Sequence, residues 1–187
     1  MKDAAPKIAV LGSINMDIVV KCMRLPTPGE TITGHAALEI PGGKGANQAV
    51  SASRAGGRVA MIGRLGDDGF AETLWNTLKH DHINTDHVIR TRSSASGIAI
   101  VAVEDSGENS IMVVPGANGQ VTPTDVDQAA TTISAADILL LQLEVPIDAV
   151  EHAMCIAADA NVPVILDPAP MLDTVSDTLM RADVICP

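Results

Sequence analysis

The sequence predicts an α/β fold, a doubly wound, mostly parallel sheet with helices on both faces, plus a small β-sheet lid. Three observations point there. Short apolar runs alternate with helical stretches, the pattern of strand–helix–strand crossovers. Two other stretches read as extended chain with no helix between them. The core has to be aliphatic, because 47% of the 187 residues are hydrophobic while Phe70 and Trp75 are the only aromatic ones.

The elements follow in order. "KIAVLG", Lys7–Gly12, is a continuous apolar run ending in glycine and reads as a buried strand. "KGANQAVSASRAGG", Lys44–Gly57, carries small residues at helical spacing and a glycine pair as a stop. "RVAMIGRLG" is a strand. "DDGFAETLWNTLKHD" sets Phe70, Leu74 and Leu78 on one helical stripe, with Asp67 or Asp68 as cap. "DILLLQLE", Asp137–Glu144, is another buried strand, and "PIDAVEHAMCIAADA" is a helix opened by Pro146. "VPVILDPAP" is a strand running into a turn, and "ADVICP" begins one more strand, with an apolar edge that calls for cover. Glu30–Ile40 and Ser96–Gly116 read as paired strands, the second a hairpin around Asp105–Asn109. They form either a separate sheet over the mouth of the main one or its antiparallel edge. The chain is one domain, 1–187, with lid strands near 18–40 and 96–115 inserted.

Composition excludes several classes. The net charge of −11 repels phosphate backbones, so nucleic acid is not an expected partner. No apolar run has the length of a membrane span, and the opening residues lack the form of a secretory signal. Cys22, Cys155 and Cys186 have no metal spacing and read as reduced thiols of a cytoplasmic protein, Cys155 as a small core residue.

In an open α/β sheet, ligands bind beyond the carboxyl ends of the strands. Asn15 and Asp17 follow the first strand and, two apart in extended chain, point to one side. A carboxylate beside an amide can clamp a pair of sugar hydroxyls; turn and capping chemistry is the other reading. Glu144 ends the "LLLQL" strand and is either a second ligand or a cap for the helix at Pro146. In "GGKGAN", Asn47 falls in the first helical turn. This stretch is not a P-loop, since Gly45 follows Lys44 where a metal-binding hydroxyl is required. The turn after the first strand has one glycine, which argues against a dinucleotide-binding dehydrogenase.

"GGKGANQAV", with "GSINMD" and "PTPGETITG" upstream and "GRLGDDGFAETL", "LLLQLEVP" and "LDPAP" downstream, resembles the amino-terminal half of the PfkB-type sugar kinases, and within them the ribokinase subgroup. The resemblance covers essentially the whole chain. It implies transfer of the ATP γ-phosphate to the 5-hydroxyl of D-ribose, with Mg2+ and an activating monovalent cation, K+. It further implies that Asn15 and Asp17 hold ribose hydroxyls, that Gly43 offers its backbone with Lys44 and Asn47 beside it, and that Glu144 contacts the sugar from the far side. For Lys44 a solvated surface position is the other reading. The strands near Gly34–Ile40 and Gly97–Val114 resemble a lid that closes on the sugar and clasps a second copy into a homodimer, with Ile100 as an apolar wall. Asp167 would support Mg2+-bound water, or else cap the turn before Pro168.

The family's Gly-Ala-Gly-Asp motif, which supplies the anion hole and the catalytic base, has no match; "GDDG" at Gly66–Gly69 reads as a helix cap. The base and the ATP site are expected beyond Pro187. The expectation is therefore a sugar-binding portion, truncated on its carboxyl-terminal side and inactive alone. A kinase for another sugar or nucleoside, and a catalytically dead sugar-binding or dimerisation fragment, are the alternatives.

Overall fold

The computed structural model describes residues 5–186. Its centre is β1 (Lys7–Leu11), whose Ala9, Val10 and Leu11 are fully buried. Sequence alternation splits this strand between two cores. Ala9 and Leu11 share one side with Leu139 and Leu141 of β8 (Ile138–Leu141). That side is covered by α3 (Pro123–Gln128), α4 (Ala130–Ser134) and α5 (Ile147–Asp159), through Val126, Ile133, Ala149, Val150 and Ala153. Val10 faces the opposite side with Val59 and Met61 of β4 (Arg58–Leu65). There α1 (Lys44–Arg54) and α2 (Gly69–His80) pack through Ala49, Ala71, Leu74 and Leu78. Small helix residues against aliphatic strands let both layers approach closely, with Phe70 and Trp75 packed at the margin of the second.

With β5 (Asn84–Arg90), β9 (Val164–Leu166) and β10 (Val184–Ile185), the main sheet has the order β10-β9-β8-β1-β4-β5. Every pairing in it is parallel. A second sheet of β2 (Asn15–Cys22), β3 (Ala36–Gly42), β6 (Gly97–Glu104) and β7 (Asn109–Val114) has the order β3-β2-β6-β7. It is separate from the main sheet and is not that sheet's antiparallel edge. No described helix is long and apolar enough to cross a membrane.

Several expectations need adjustment. The extended reading of Glu30–Ile40 holds only from Ala36 onward. The stretch after β1 is not just a turn: β2 starts at Asn15 and runs to Cys22. Asp68, not Asp67, caps α2, accepting the Ala71 N–H at 3.0 Å. Its other oxygen accepts the Ser96 N–H at 2.7 Å, which ties the helix start to the entry of β6. Cys155 is exposed, because the buried stripe of α5 runs through Ala149, Val150, Ala153, Met154 and Ala157 and leaves it outside. Two elements, β5 and the α3–α4 pair, have no counterpart in the sequence reading. Asp125 builds a capping box with Thr122 at the start of α3 and receives a two-pronged contact from Arg64 of β4, both prongs at 2.8 Å.

Candidate functional site

The site lies where β1 and β8 end, under the second sheet. β1 leaves the main sheet at Gly12, and the glycine-rich start of α1 closes against that exit. A Cβ on Gly45 would stand 2.7 Å from the Gly12 carbonyl carbon and the Ser13 nitrogen, so only hydrogen fits. Gly43, at φ +92, takes a conformation that favours glycine and turns β3 into α1.

The first amides of α1 are already engaged. Lys44 N–H donates to Glu144 Oε2 at 3.2 Å, and Ala46 N–H donates to the Ser13 carbonyl at 2.9 Å. Gly45 N–H reaches Ser13 Oγ at 3.4 Å. Ser13, fully buried, donates its own hydroxyl proton to Glu144 Oε2 at 2.5 Å. So Glu144 does not cap α5, whose start has no side-chain cap. Its carboxylate caps α1 across the cleft, where the helix dipole favours negative charge. The glycine-rich stretch is therefore not an open phosphate cradle, because helix-start anion sites need free N–H groups.

Asp17 lies directly over Gly42, where a Cβ would come within 2.2 Å of Asp17 Oδ2. Its carboxyl is raised above the ordinary 3.8, first by burial and then by the negative charge of Glu144. Asp17 over Gly42 and Glu144 on the Lys44 N–H bring both carboxylates to the same glycine-rich turn. Asn15 is buried beside them, its Oδ1 accepting from Asn118 Nδ2 at 2.7 Å. Next to Glu144 a cavity of about 400 Å3 opens between the two sheets, lined by Val113, Pro115, Leu143, Glu144, Pro146 and Pro170.

The predicted residues divide into those brought together and those left apart. Asn15, Asp17, Gly43, the Lys44 amide and Glu144 converge. Asn47 sits one turn into α1, exposed, beside a small cleft shared with Pro41 and Leu74. Ile100 needs correction as a wall of the same pocket. The β2–β6 register pairs Asp17 with Ala99 and Ile18 with Ile100, so alternation turns Ile100 to the opposite face. Ala99, Val101 and Val113 share the Asp17 face instead, and Val113 lines the cavity with Glu144. Asp167 follows β9 and accepts the Ala169 N–H at 3.0 Å through Oδ1, which is the turn-capping alternative. Among the described residues no group of three His, Cys, Asp or Glu side chains is placed to hold a metal ion.

Ser13 and Asn118 were missed. Ser13 reads as an ordinary turn residue, and nothing local shows that Glu144 meets it. Asn118 lies in "PGANG", whose glycines mark a turn but not a buried amide reaching Ile14. A concavity of about 630 Å3 lies at the other end of the sheet, beside Lys7, Arg58 and His82. It opens at the amino ends of β1 and β4, away from the strand ends where such sheets bind ligands.

Residues 5–187 match the pfkB family carbohydrate kinases. The chain is similar to a ribokinase of Bacillus subtilis (strain 168), 38% identical over 180 residues that make up 96% of this chain and 61% of the relative. It is similar to a deoxyribokinase of Salmonella typhi, 38% identical over 165 residues, 88% of this chain and 54% of the relative. The solved structure of an Arabidopsis thaliana ribokinase complexed with ribose and ATP superimposes with a TM-score of 0.86 at 34% identity, covering 97% of this chain and 60% of that one. The chain thus spans about three-fifths of the ribokinases it matches. With the separate second sheet, the carboxylate-capped glycine turn and a match running from residue 5 to 187, the chain belongs to the pfkB family of carbohydrate kinases.

Proposed function

We propose that this chain carries the sugar site of an ATP-dependent ribokinase, which phosphorylates D-ribose to ribose 5-phosphate. The observation that carries the reading is the Asp17 carboxylate over Gly42, beside the Lys44 amide that Glu144 holds. Two short acceptors beside a fixed amide suit the donor hydroxyls of a pentose. The helix-start amides, taken by Ser13 and Glu144, leave no cradle for a nucleotide phosphate here. ATP use finds support in the Arabidopsis thaliana ribokinase complexed with ribose and ATP. Among the described residues no three His, Cys, Asp or Glu side chains gather to hold a metal ion, and Mg2+ and K+ belong to the proposal for the whole kinase.

Turnover needs a base within hydrogen-bond reach of the reacting hydroxyl. In this reading Asp17 and Glu144 hold the sugar, and neither is that base. The 187-residue chain then binds ribose without transferring phosphate. The match to a deoxyribokinase favours one alternative, a different pentose.

The outer face of the second sheet carries Ile100, Met112 and Val114, at 38%, 63% and 54% exposure. We propose that it packs against a second copy of the chain, since apolar surface of this kind calls for cover.

Calorimetric titration should show ribose heat, weaker heat with 2-deoxyribose and none with adenosine, while coupled ADP release stays at background; ribose-dependent turnover refutes the inactive half of the reading. Asp17→Asn should weaken ribose binding at least about tenfold, the loss of a charged hydrogen bond. Because the folded carboxyl is raised, stability falls as pH climbs from 3.8 through the raised value. The same variant should therefore melt higher than the parent at neutral pH, with the gain fading below pH 3.8; an equal or lower melting temperature at neutral pH contradicts the assigned burial. By analytical ultracentrifugation the chain should sediment as a dimer and Met112→Glu as a monomer, whereas a monomeric parent rejects the outer face as an interface.

A further inference from the structure

Asn118 is 1% exposed and stands on the short 3-10 turn Gly116–Gln120 that follows β7. Its amide is used three times. Oδ1 accepts the Ile14 N–H at 3.0 Å, Nδ2 donates to the Ile14 carbonyl at 3.2 Å, and Nδ2 also donates to Asn15 Oδ1 at 2.7 Å. The first two contacts fix which way round the amide lies, because a peptide N–H needs an oxygen and a peptide carbonyl needs an NH2. With Asn118 fixed, the third contact fixes Asn15, which turns its oxygen inward and its NH2 outward. Gly97 leaves the space for this pair. It stands opposite Asn15 in the β2–β6 register, and a Cβ on it would lie 2.1 Å from both Asn118 Nδ2 and Asn15 Oδ1.

We infer that Asn118 is a positioning residue that makes Asn15 a hydrogen-bond donor toward the cleft and so sets the polarity of the sugar clamp. This deepens the proposed sugar site and rests on that reading. Asn15 donates and the ionised Asp17, on the same face of β2, accepts. One sugar hydroxyl satisfies both, its oxygen taking the Asn15 N–H and its proton pointing to Asp17. An ether or carbonyl oxygen at that place answers Asn15 but leaves Asp17 unpaired, and a deoxy carbon answers neither. The pair therefore selects for a hydroxyl over its isosteres. Asn118 sets this choice without touching the sugar.

Side-chain amide NMR on the 187-residue chain with 15N-labelled asparagine tests the inference. Without ligand, the Asn118 NH2 protons should exchange with solvent more slowly than those of Asn15. On titration with D-ribose, the Asn15 NH2 resonances should shift along the isotherm measured by calorimetry. In Asn118→Asp the carboxylate has no proton to offer Asn15, which turns its NH2 inward; the Asn15 protons become the slowly exchanging ones and ribose affinity falls about tenfold. If that variant does not fold, Gly97→Ala takes its place, and its methyl, wedged into the amide pair, should speed Asn118 exchange and weaken ribose by a similar factor. Slow exchange of Asn15 in the parent overturns the inference, as does parental ribose affinity in a folded Asn118→Asp or unchanged exchange in Gly97→Ala. Absence of ribose heat in the parent rejects the sugar site itself, while the exchange rates still decide the amide orientation.

Discussion

The carboxylate of Glu144 at the start of α1 holds the site together. It leaves the end of β8, accepts the Lys44 N–H and the Ser13 hydroxyl, and so locks the glycine-rich turn onto the exit of β1. An α-helix leaves its first N–H groups without partners in its own backbone, and burying them unpaired is unfavourable. Here Ser13 and Glu144 answer them from two other strand ends. The glycines follow from this closure, since Gly45 has to touch Gly12 and Ser13 with nothing between. Once the turn is shut, Gly42 presents a bare surface and Asp17 lies across it.

The same closure sets a charge constraint on the site. Asp17 is pushed toward its protonated form first by burial and then by Glu144, so a further negative charge beside it is disfavoured. In the proposed reading, a ligand bearing hydroxyls supplies hydrogen-bond donors to these carboxylates. A phosphate or a carboxylic acid would add negative charge to the same place. In the proposed reading the cleft therefore takes a neutral polyol, in a protein whose net charge is −11.

Much of this was legible along the chain, and the illegible parts share a cause. The strand–helix alternation, the glycine turn and the polar strand ends are local signals, and they led to the α/β fold, to Asn15 and Asp17, and to Glu144. Partners across long separations left no such trace. Ser13 and Glu144 are 131 residues apart, and Ile14 and Asn118 are 104 apart. β5, "NTDHVIR", is an edge strand with polar residues on its exposed side and lacks the apolar run that marked the central strands. Ile100 enters the pocket only as an apolar wall that the family resemblance implies. The register, which no short stretch reveals, shows that a one-residue step changes its face and leaves Ala99 and Val101 on the side of Asp17.

The central claim is that one cleft beyond the strand ends is shaped for a pentose by Asp17, Glu144 and the Asn15 amide. The most direct measurement is a crystal structure of this chain grown with D-ribose. The account predicts a single sugar between the two sheets, with hydroxyls at hydrogen-bond distance from Asp17 and Asn15 and Glu144 on its far side. Ribose seated in the groove by Lys7, Arg58 and His82, or an Asp17 carboxylate turned away from Gly42 and Glu144, would contradict it.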